Sequence, residues 1–175
     1  MTFREFSQAD VLAFFDFLDD LGIGVWLEGG WAVDALLGEQ TRRHGDLDVI
    51  VRADDAVTLM QHLRLRGFAD DPREYSTPWH RVYADSHGRE VDLHLVEFDG
   101  DGTGHFGPDV FPAGTLVGVG AIGARTVRCM RPQDLLGWYT GYEPDADDWH
   151  DVSALCARFG LSVPPDYLRF VGDAP

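Results

Sequence analysis

The chain contains no lysine, and all 14 of its basic residues are arginine. Three kinds of active site are excluded by this absence: the lysine of a phosphate-binding P-loop, a lysine that forms a Schiff base, and a lysine general base. A side-chain cation that grips phosphate must therefore be an arginine, whose planar fork donates two parallel hydrogen bonds. The remaining source of positive charge for phosphate is a bound metal ion.

Cysteine is scarce as well. Cys129 and Cys156 are the two cysteines, and they are far apart with no C-x-x-C spacing. Such spacing is not typical of a cysteine zinc site or of a redox dithiol. We expect two reduced, partly buried thiols.

Long apolar runs are missing, because no segment approaches the length of a membrane span. The first residues, Met1 to Phe6, are polar and do not resemble a signal peptide. From these two observations we expect a cytoplasmic protein with no membrane partner.

Positive charge is also in short supply, since 30 acidic residues face 14 basic ones and the formal net charge is −16. Phosphate backbones need clustered basic side chains, so this balance disfavours a nucleic-acid partner. It favours a small cationic ligand, which an acidic cleft would attract. The alternative is that the acidity only keeps the protein soluble.

What the sequence does have is a pair of carboxylates, Asp46 and Asp48, directly before the β-branched run Val49-Ile50-Val51. That run predicts a buried strand, on which residues i and i+2 point to the same face. The two carboxylates would then lie side by side and repel each other. A divalent cation relieves the repulsion, and carboxylate oxygens are preferred ligands of Mg²⁺.

A second feature precedes this pair. A short apolar strand, Ile23–Leu27, leads into Gly29 and Gly30, and a helix is predicted over Trp31–Leu37. Glycines at such a turn let the backbone approach a ligand, and free N–H groups at a helix start attract phosphate. The alternative is a tight turn that needs positive φ and binds nothing.

A third carboxylate, Asp92, lies in the segment 89–96, which alternates between polar and apolar residues as a strand does. An aspartate on an exposed strand would be unremarkable. On a strand beside the first pair, however, Asp92 would complete a carboxylate triad. It could then ligate a metal or accept a proton from an attacking hydroxyl.

Together these residues resemble a known family. The matching positions are Gly29-Gly30-Trp31-x-Val33-Asp34-x-Leu36-x-Gly38-x-x-x-Arg42-x-His44-x-Asp46-Leu47-Asp48. The pattern is similar to that of the small antibiotic nucleotidyltransferases, namely lincosamide nucleotidyltransferases and aminoglycoside 2''-adenylyltransferases, within the DNA polymerase β-like superfamily. The resemblance covers about residues 10–160. It implies an α+β fold: a nucleotidyltransferase palm whose mixed sheet is flanked by helices, over residues 1–130, and a short helical C-terminal part over 131–175.

The resemblance also implies a reaction. A nucleoside monophosphate would pass from a nucleoside triphosphate, with ATP expected, to a hydroxyl of an aminoglycoside or lincosamide, and pyrophosphate would leave. The implied site residues are Asp46 and Asp48 for Mg²⁺, Asp92 as base or as a further metal ligand, and Gly29, Gly30, Arg42 and His44 for the triphosphate.

Several alternatives stay open. His44 could equally be a hydrogen-bonded histidine at a strand edge, and a Zn²⁺ site that includes His44 or His94 fits by residue type, although oxygen donors suit Mg²⁺ better. Residues 99–114 predict a long loop that could act as a lid. Roles for Glu28, His94, Asp148 and Asp151 are not decided.

Two rival functions remain as well. The chain could be a toxin that transfers nucleotides to RNA or protein, or a non-catalytic member of the fold that acts as an antitoxin or binding protein. The oligomeric state is open, with a homodimer among the options.

Overall fold

The structure, a computed structural model, describes residues 5–171. Within this range the chain forms five α-helices, nine β-strands and one 3-10 helix. The helices are α1 (Gln8–Leu21), α2 (Gly29–Leu37), α3 (Ala53–Leu65), α4 (Pro132–Trp138) and α5 (Ala146–Phe159), and the 3-10 helix is Pro165–Phe170. The strands are β1 (Val25–Leu27), β2 (Asp46–Arg52), β3 (Ala69–Asp70), β4 (His80–Ala84), β5 (Glu90–Phe98), β6 (Gly104–Phe106), β7 (Asp109–Phe111), β8 (Gly118–Ile122) and β9 (Arg125–Cys129).

One mixed sheet organises the fold, and seven of its strands follow the order β3-β4-β5-β2-β1-β9-β8. The pairs β2–β5 and β1–β9 are parallel, and the other neighbours are antiparallel. The short strand β6 pairs with the end of β5, and β7 pairs with β6. Helix α2 packs on β2, β8 and β9, while α3 packs on β2 and β5. The predicted α+β fold with a helix-flanked mixed sheet is confirmed.

The first helices are bounded by local signals in the sequence. The Ser7 hydroxyl and the Asp10 carboxylate form a reciprocal capping box at the start of α1, and Gly22 ends that helix with φ +67°. Gly38 ends α2 in the same left-handed conformation. These signals fix the length of each helix, and so the length of the apolar face that packs on the sheet. Helix α2 begins directly after the end of β1.

The C-terminal elements pack against α2 and close one side of a cleft. Helix α5 contacts α2 and α4, and the fully buried Tyr167 of the 3-10 helix donates a 2.6 Å hydrogen bond from its hydroxyl to the Tyr139 carbonyl. The division into 1–130 and 131–175 stays a proposal, and both ranges extend past the described residues, which leave out 1–4 and 172–175. No helix within 5–171 is long and apolar enough to cross a membrane.

Two predicted boundaries and one predicted loop are corrected. Strand β1 begins at Val25 instead of Ile23, and α2 begins at Gly29 instead of Trp31. The predicted loop over 99–114 is wrong, since β6 and β7 form a hairpin there. The many glycines of this segment are typical of a loop and led to the wrong prediction. Gly107 instead serves close packing, because a Cβ at that position would lie 2.1 Å from the Trp79 ring. Tertiary contact therefore overrides the local loop signal.

Candidate active site

Strand register brings the three predicted carboxylates together. Strands β2 and β5 run parallel, and Asp48 pairs directly with Asp92. Asp46 precedes Asp48 by two positions and thus lies on the same face of β2. The strand that carries Asp46 and Asp48 therefore lies beside the strand that carries Asp92, as predicted.

Electrostatics make this group of carboxylates unfavourable without a cation. Desolvation by the surrounding protein, followed by the Asp92 charge, raises the pKa of Asp46, whose side chain still reaches solvent. Burial, followed by Asp46 and then Asp92, raises the pKa of Asp48 well above its usual range. Oδ1 of Asp92 is buried and has no hydrogen-bond partner among the described residues. Such an arrangement of oxygen donors suits a hard divalent cation.

The donor set therefore fits Mg²⁺ by its chemistry. In residues 5–171, no group of three or more His, Cys, Asp or Glu side chains is already gathered as metal ligands. Rotation of aspartate side chains would have to accompany metal entry, which is within the freedom of a carboxylate at a strand edge.

Gly29 and Gly30 form the start of α2, directly beside the carboxylates. Gly29 has φ +59°, and a Cβ there would lie 2.2 Å from Oδ2 of Asp48. A Cβ at Gly30 would lie 2.4 Å from Nδ1 of His44 and 2.5 Å from Nη2 of Arg42. Both positions therefore need glycine because other groups approach the backbone closely. The first N–H groups of α2, which have no intrahelical partner, lie at this turn and are available to an anion.

Arg42 lies at the cleft but is held from behind. Its Nε and Nη2 donate to the two carboxylate oxygens of Asp151 over 2.8 and 2.6 Å, and its Nη1 donates to the Arg43 carbonyl over 2.9 Å. The Tyr139 hydroxyl donates to the same Asp151 carboxylate over 2.9 Å. Burial works against the charge of Arg42, but Asp151 outweighs it and raises the pKa of the guanidinium further.

His44 lies below the glycine turn and does not line the cleft. Its side chain is 1% exposed, and its Nε2 lies 2.5 Å from Oδ2 of Asp34. Its ring centroid is 4.7 Å from that of Trp31. His44 thus supports the start of α2 from beneath, whereas its predicted contact with the triphosphate stays a prediction.

A chain of hydrogen-bonding groups runs from Glu28 to Asp92. The Glu28 carboxylate contacts Nδ1 of His94, and Nε2 of His94 lies 3.1 Å from Nε2 of His80. Nε2 of His80 lies 3.2 Å from Oδ2 of Asp92. Burial lowers the pKa of His94, but the Glu28 carboxylate outweighs this and raises that pKa to about 9.

The cleft itself measures about 300 Å³. Beside the glycines and carboxylates it has an aromatic wall, in which Trp138 packs against Phe106 and Phe111 with ring centroids 6.2 and 5.3 Å apart. At its mouth the Tyr142 hydroxyl donates to Oδ1 of Asp148 over 3.0 Å. The lining residues are Glu28, Gly29, Gly30, Arg42, Asp46, Asp48, His94, Leu135, Trp138, Tyr139, Tyr142 and Asp148.

Sequence reasoning did not single out His80 or Asp34. His80 could have been found from the hairpin register, because pairing Ala84 with Glu90 across the turn places His80 opposite His94. Asp34 was matched within the family pattern but was given no role, since its contact with His44 depends on how α2 packs. Asp151 was a candidate for the cleft, and the structure buries it completely behind Arg42 instead.

Comparison with known proteins places this geometry in a family. The family model for aminoglycoside-2''-adenylyltransferase matches residues 10–155. A lincosamide resistance protein of Staphylococcus haemolyticus is 25% identical over 100 residues, which is 55% of this chain and 59% of that protein. A 2''-aminoglycoside nucleotidyltransferase of Escherichia coli is 48% identical over 31 residues, or 18% of each chain. The aligned parts thus span less than two thirds of either relative.

Solved structures share the fold. The lincosamide antibiotic adenylyltransferase LnuA, lincomycin-bound, superposes with a TM-score of 0.77 at 22% identity, over 87% of this chain and 98% of that one. ANT(2'')-Ia in complex with adenylyl-2''-tobramycin gives 0.73 at 17% identity, over 87% and 89%. The expected nucleotidyltransferase fold and the expected family are both confirmed: the chain belongs to the aminoglycoside-2''-adenylyltransferase family of antibiotic nucleotidyltransferases.

Proposed function

We propose that this protein transfers a nucleoside monophosphate from a nucleoside triphosphate, ATP in the first instance, to a hydroxyl of an aminoglycoside or lincosamide, with release of pyrophosphate. The observation that carries the proposal is the strand register that sets Asp92 beside Asp48, together with a cleft that Asp46, Asp48, Gly29 and Gly30 line. Family membership over residues 10–155 supports it.

The metal that suits these donors is Mg²⁺, which Asp46 and Asp48 would hold, with Asp92 as a shared ligand. When bound, it would offset phosphate charge and supply the positive field that the three carboxylates lack. The raised pKa values of Asp46 and Asp48 support this assignment, because a cation removes their repulsion.

The chain's own groups supply binding and proton transfer. The N–H groups at the start of α2 would bind triphosphate oxygens, and Arg42 would add charge from the side. Asp92 would accept the proton of the acceptor hydroxyl as that oxygen bonds to the α-phosphorus. The bond from the α-phosphorus to the oxygen bridging it to the β-phosphorus then breaks, and pyrophosphate leaves with that oxygen. Positioning and charge carry most of the catalysis.

The acceptor would lie against the aromatic wall. Trp138 and Tyr142 offer flat apolar surface to a sugar ring, while Glu28 and Asp148 offer carboxylates to an ammonium group. Both antibiotic classes carry such groups: a lincosamide has a single basic amine, and an aminoglycoside has several. A panel of acceptors is therefore the direct way to choose between them.

The test is pyrophosphate release with Mg²⁺ and each of the four nucleoside triphosphates, against aminoglycosides and lincosamides, with Asp46→Asn alongside. We expect release that depends on one acceptor class and is lost in the variant. Silence across the whole panel with triphosphate binding intact would reject the antibiotic acceptors. Absence of triphosphate binding would reject the proposed transfer itself and favour a binding protein.

A further inference from the structure

We propose that Asp151 of α5 is a positioning residue that holds the Arg42 guanidinium at the start of α2 and thereby sets the affinity for the nucleoside triphosphate. This inference rests on the proposed function, since it concerns the same nucleotide site. It links the C-terminal helix to that site through the Arg42–Asp151 ion pair, beside a longer contact of 3.8 Å between Nη1 of Arg42 and Oδ2 of Asp147.

The hydrogen-bond inventory of Arg42 is the first argument. A guanidinium has five N–H donors. One N–H of Nε and one of Nη2 go to Asp151, and one of Nη1 goes to the Arg43 carbonyl. Two N–H groups remain, one on each terminal nitrogen. Nη2 also lies 2.5 Å from the place of a Gly30 Cβ, so the guanidinium is next to the backbone that starts α2.

The contrast in burial is the second argument. The Asp151 side chain is 0% exposed, whereas the Arg42 side chain is 21% exposed and lines the cleft. The carboxylate is therefore an anchor inside the protein, and the guanidinium is the end that solvent or a ligand can reach. The Tyr139 hydroxyl donates to Oδ2 of Asp151 and restricts the carboxylate from a second direction.

Two hydrogen bonds, from Nε and Nη2 of Arg42 to the two oxygens of Asp151, fix the orientation of the guanidinium. A bidentate fork fixes the plane of the guanidinium as well as its position. Without Asp151, the long Arg42 side chain regains rotamers and loses its fixed place beside Gly30. An arginine that must be ordered on ligand binding contributes less affinity than one already in place.

The experiment is a double-mutant cycle with Asp151→Asn, Arg42→Gln and the double variant, and the probe is ATP with MgCl₂ in the absence of acceptor. Calorimetry gives the ATP Kd, and steady-state assays give KM for ATP, KM for the acceptor and kcat. We expect each single variant to weaken ATP binding by roughly tenfold or more, as for loss of a hydrogen bond to a charged group. The double variant should bind ATP no more weakly than Arg42→Gln does, because Asp151 acts through Arg42.

The chain offers a matched control in Asp85→Asn. The Asp85 side chain is 6% exposed, and its carboxylate accepts from Nε and is paired with Nη2 of Arg89, both at 2.7 Å. This is another arginine paired through Nε and Nη2 with a largely buried carboxylate, here through the single oxygen Oδ2, at a turn that does not line the cleft. We expect the melting temperature to fall in this control while KM for ATP stays near the wild-type value.

A second variant, Arg42→Lys, covers the case in which Asp151→Asn fails to fold. It keeps a cation next to the buried carboxylate but loses the fork. We expect a folded protein with weakened ATP binding and little change in KM for the acceptor.

Three results would overturn the inference. One is an ATP Kd for Asp151→Asn equal to the wild type, with only the melting temperature lowered, as in the Asp85 control. Another is full additivity in the double variant. The third is wild-type ATP affinity in Arg42→Lys. None of these outcomes would reject the proposed transfer, whose antibiotic acceptors are rejected instead if the wild-type protein binds ATP but releases no pyrophosphate with any of them.

Discussion

Nε2 of His80 lies 3.2 Å from Oδ2 of Asp92, while Oδ1 of the same carboxylate is buried without a hydrogen-bond partner among the described residues. The two oxygens of Asp92 thus have different surroundings. One lies beside a histidine, and the other is the oxygen that the proposed transfer assigns to a metal ion or to the proton of the acceptor hydroxyl.

The first prediction concerns His80. His80→Ala removes the imidazole whose Nε2 lies 3.2 Å from Oδ2 of Asp92, so the carboxylate is positioned less firmly and kcat should fall by roughly tenfold, while KM for ATP changes little. His80→Gln keeps a polar side chain at this position and should retain most of the activity. Steady-state kinetics of both variants are the measurement, and wild-type kcat in His80→Ala would contradict the role.

The second prediction separates stability from activity at Asp48. Asp48→Asn removes a partly buried charge that Asp46 and Asp92 repel, so the metal-free protein should gain stability, on the order of 1 kcal/mol. Nucleotidyl transfer should be lost. Urea unfolding in EDTA and pyrophosphate release measure the two effects. Added Mg²⁺ should raise the melting temperature of the wild type more than that of the variant, and equal responses would count against metal binding at Asp48.

The third prediction concerns the start of α2. A Cβ at Gly30 would lie 2.4 Å from the buried His44 ring and 2.5 Å from Arg42. Because Asp34 and Trp31 hold that ring, Gly30→Ala should cost roughly 1–3 kcal/mol in unfolding free energy through overpacking, and it should weaken ATP binding.

The comparison variant for this prediction is Gly137→Ala in α4, where a Cβ meets nothing within 4 Å. Its effect should be neutral or stabilising, because alanine has the higher helix propensity. Chemical denaturation and calorimetry test both variants. A stable Gly30→Ala protein with unchanged ATP affinity would show that the close approach is not required.

The fourth prediction is a pH dependence of stability. The pKa of His94 is about 9 in the folded protein, against 6.5 for a free histidine, so the folded state binds the proton more tightly. Its stabilisation is fully present below pH 6.5 and is lost as pH rises toward 9. The total should be on the order of 3 kcal/mol, measured by unfolding in EDTA. His94→Gln should flatten the curve between these pH values, and an unchanged slope would rule out His94 as its source.

The local parts of the fold were predictable because short-range geometry determines them. Residues i and i+2 of a strand share a face, so the spacing of Asp46 and Asp48 alone placed both carboxylates together. The turn at Gly29 and Gly30 and the helix stop at Gly38 follow equally local rules. Where a local signal met a packing demand, as at the hairpin of β6 and β7, the local prediction was wrong.

Local rules could not predict the order in which the strands of the sheet pair. They could predict the hairpin between β4 and β5. Its turn length places His80 opposite His94, and this could have been worked out. The neighbouring of β2 and β5, which joins Asp48 to Asp92, needed the resemblance or the structure.

The sequence by itself determined the chemistry available: three carboxylates, two glycines at a helix start, arginine as the basic side chain, and a family pattern. Only the tertiary structure decided which groups face the cleft and which support it from behind. Arg42 and Asp151 are 109 positions apart, and Glu28 and His94 are 66 apart. Contacts over such separations arise when helices dock on the sheet and bury charges that must then be paired, which no local spacing specifies.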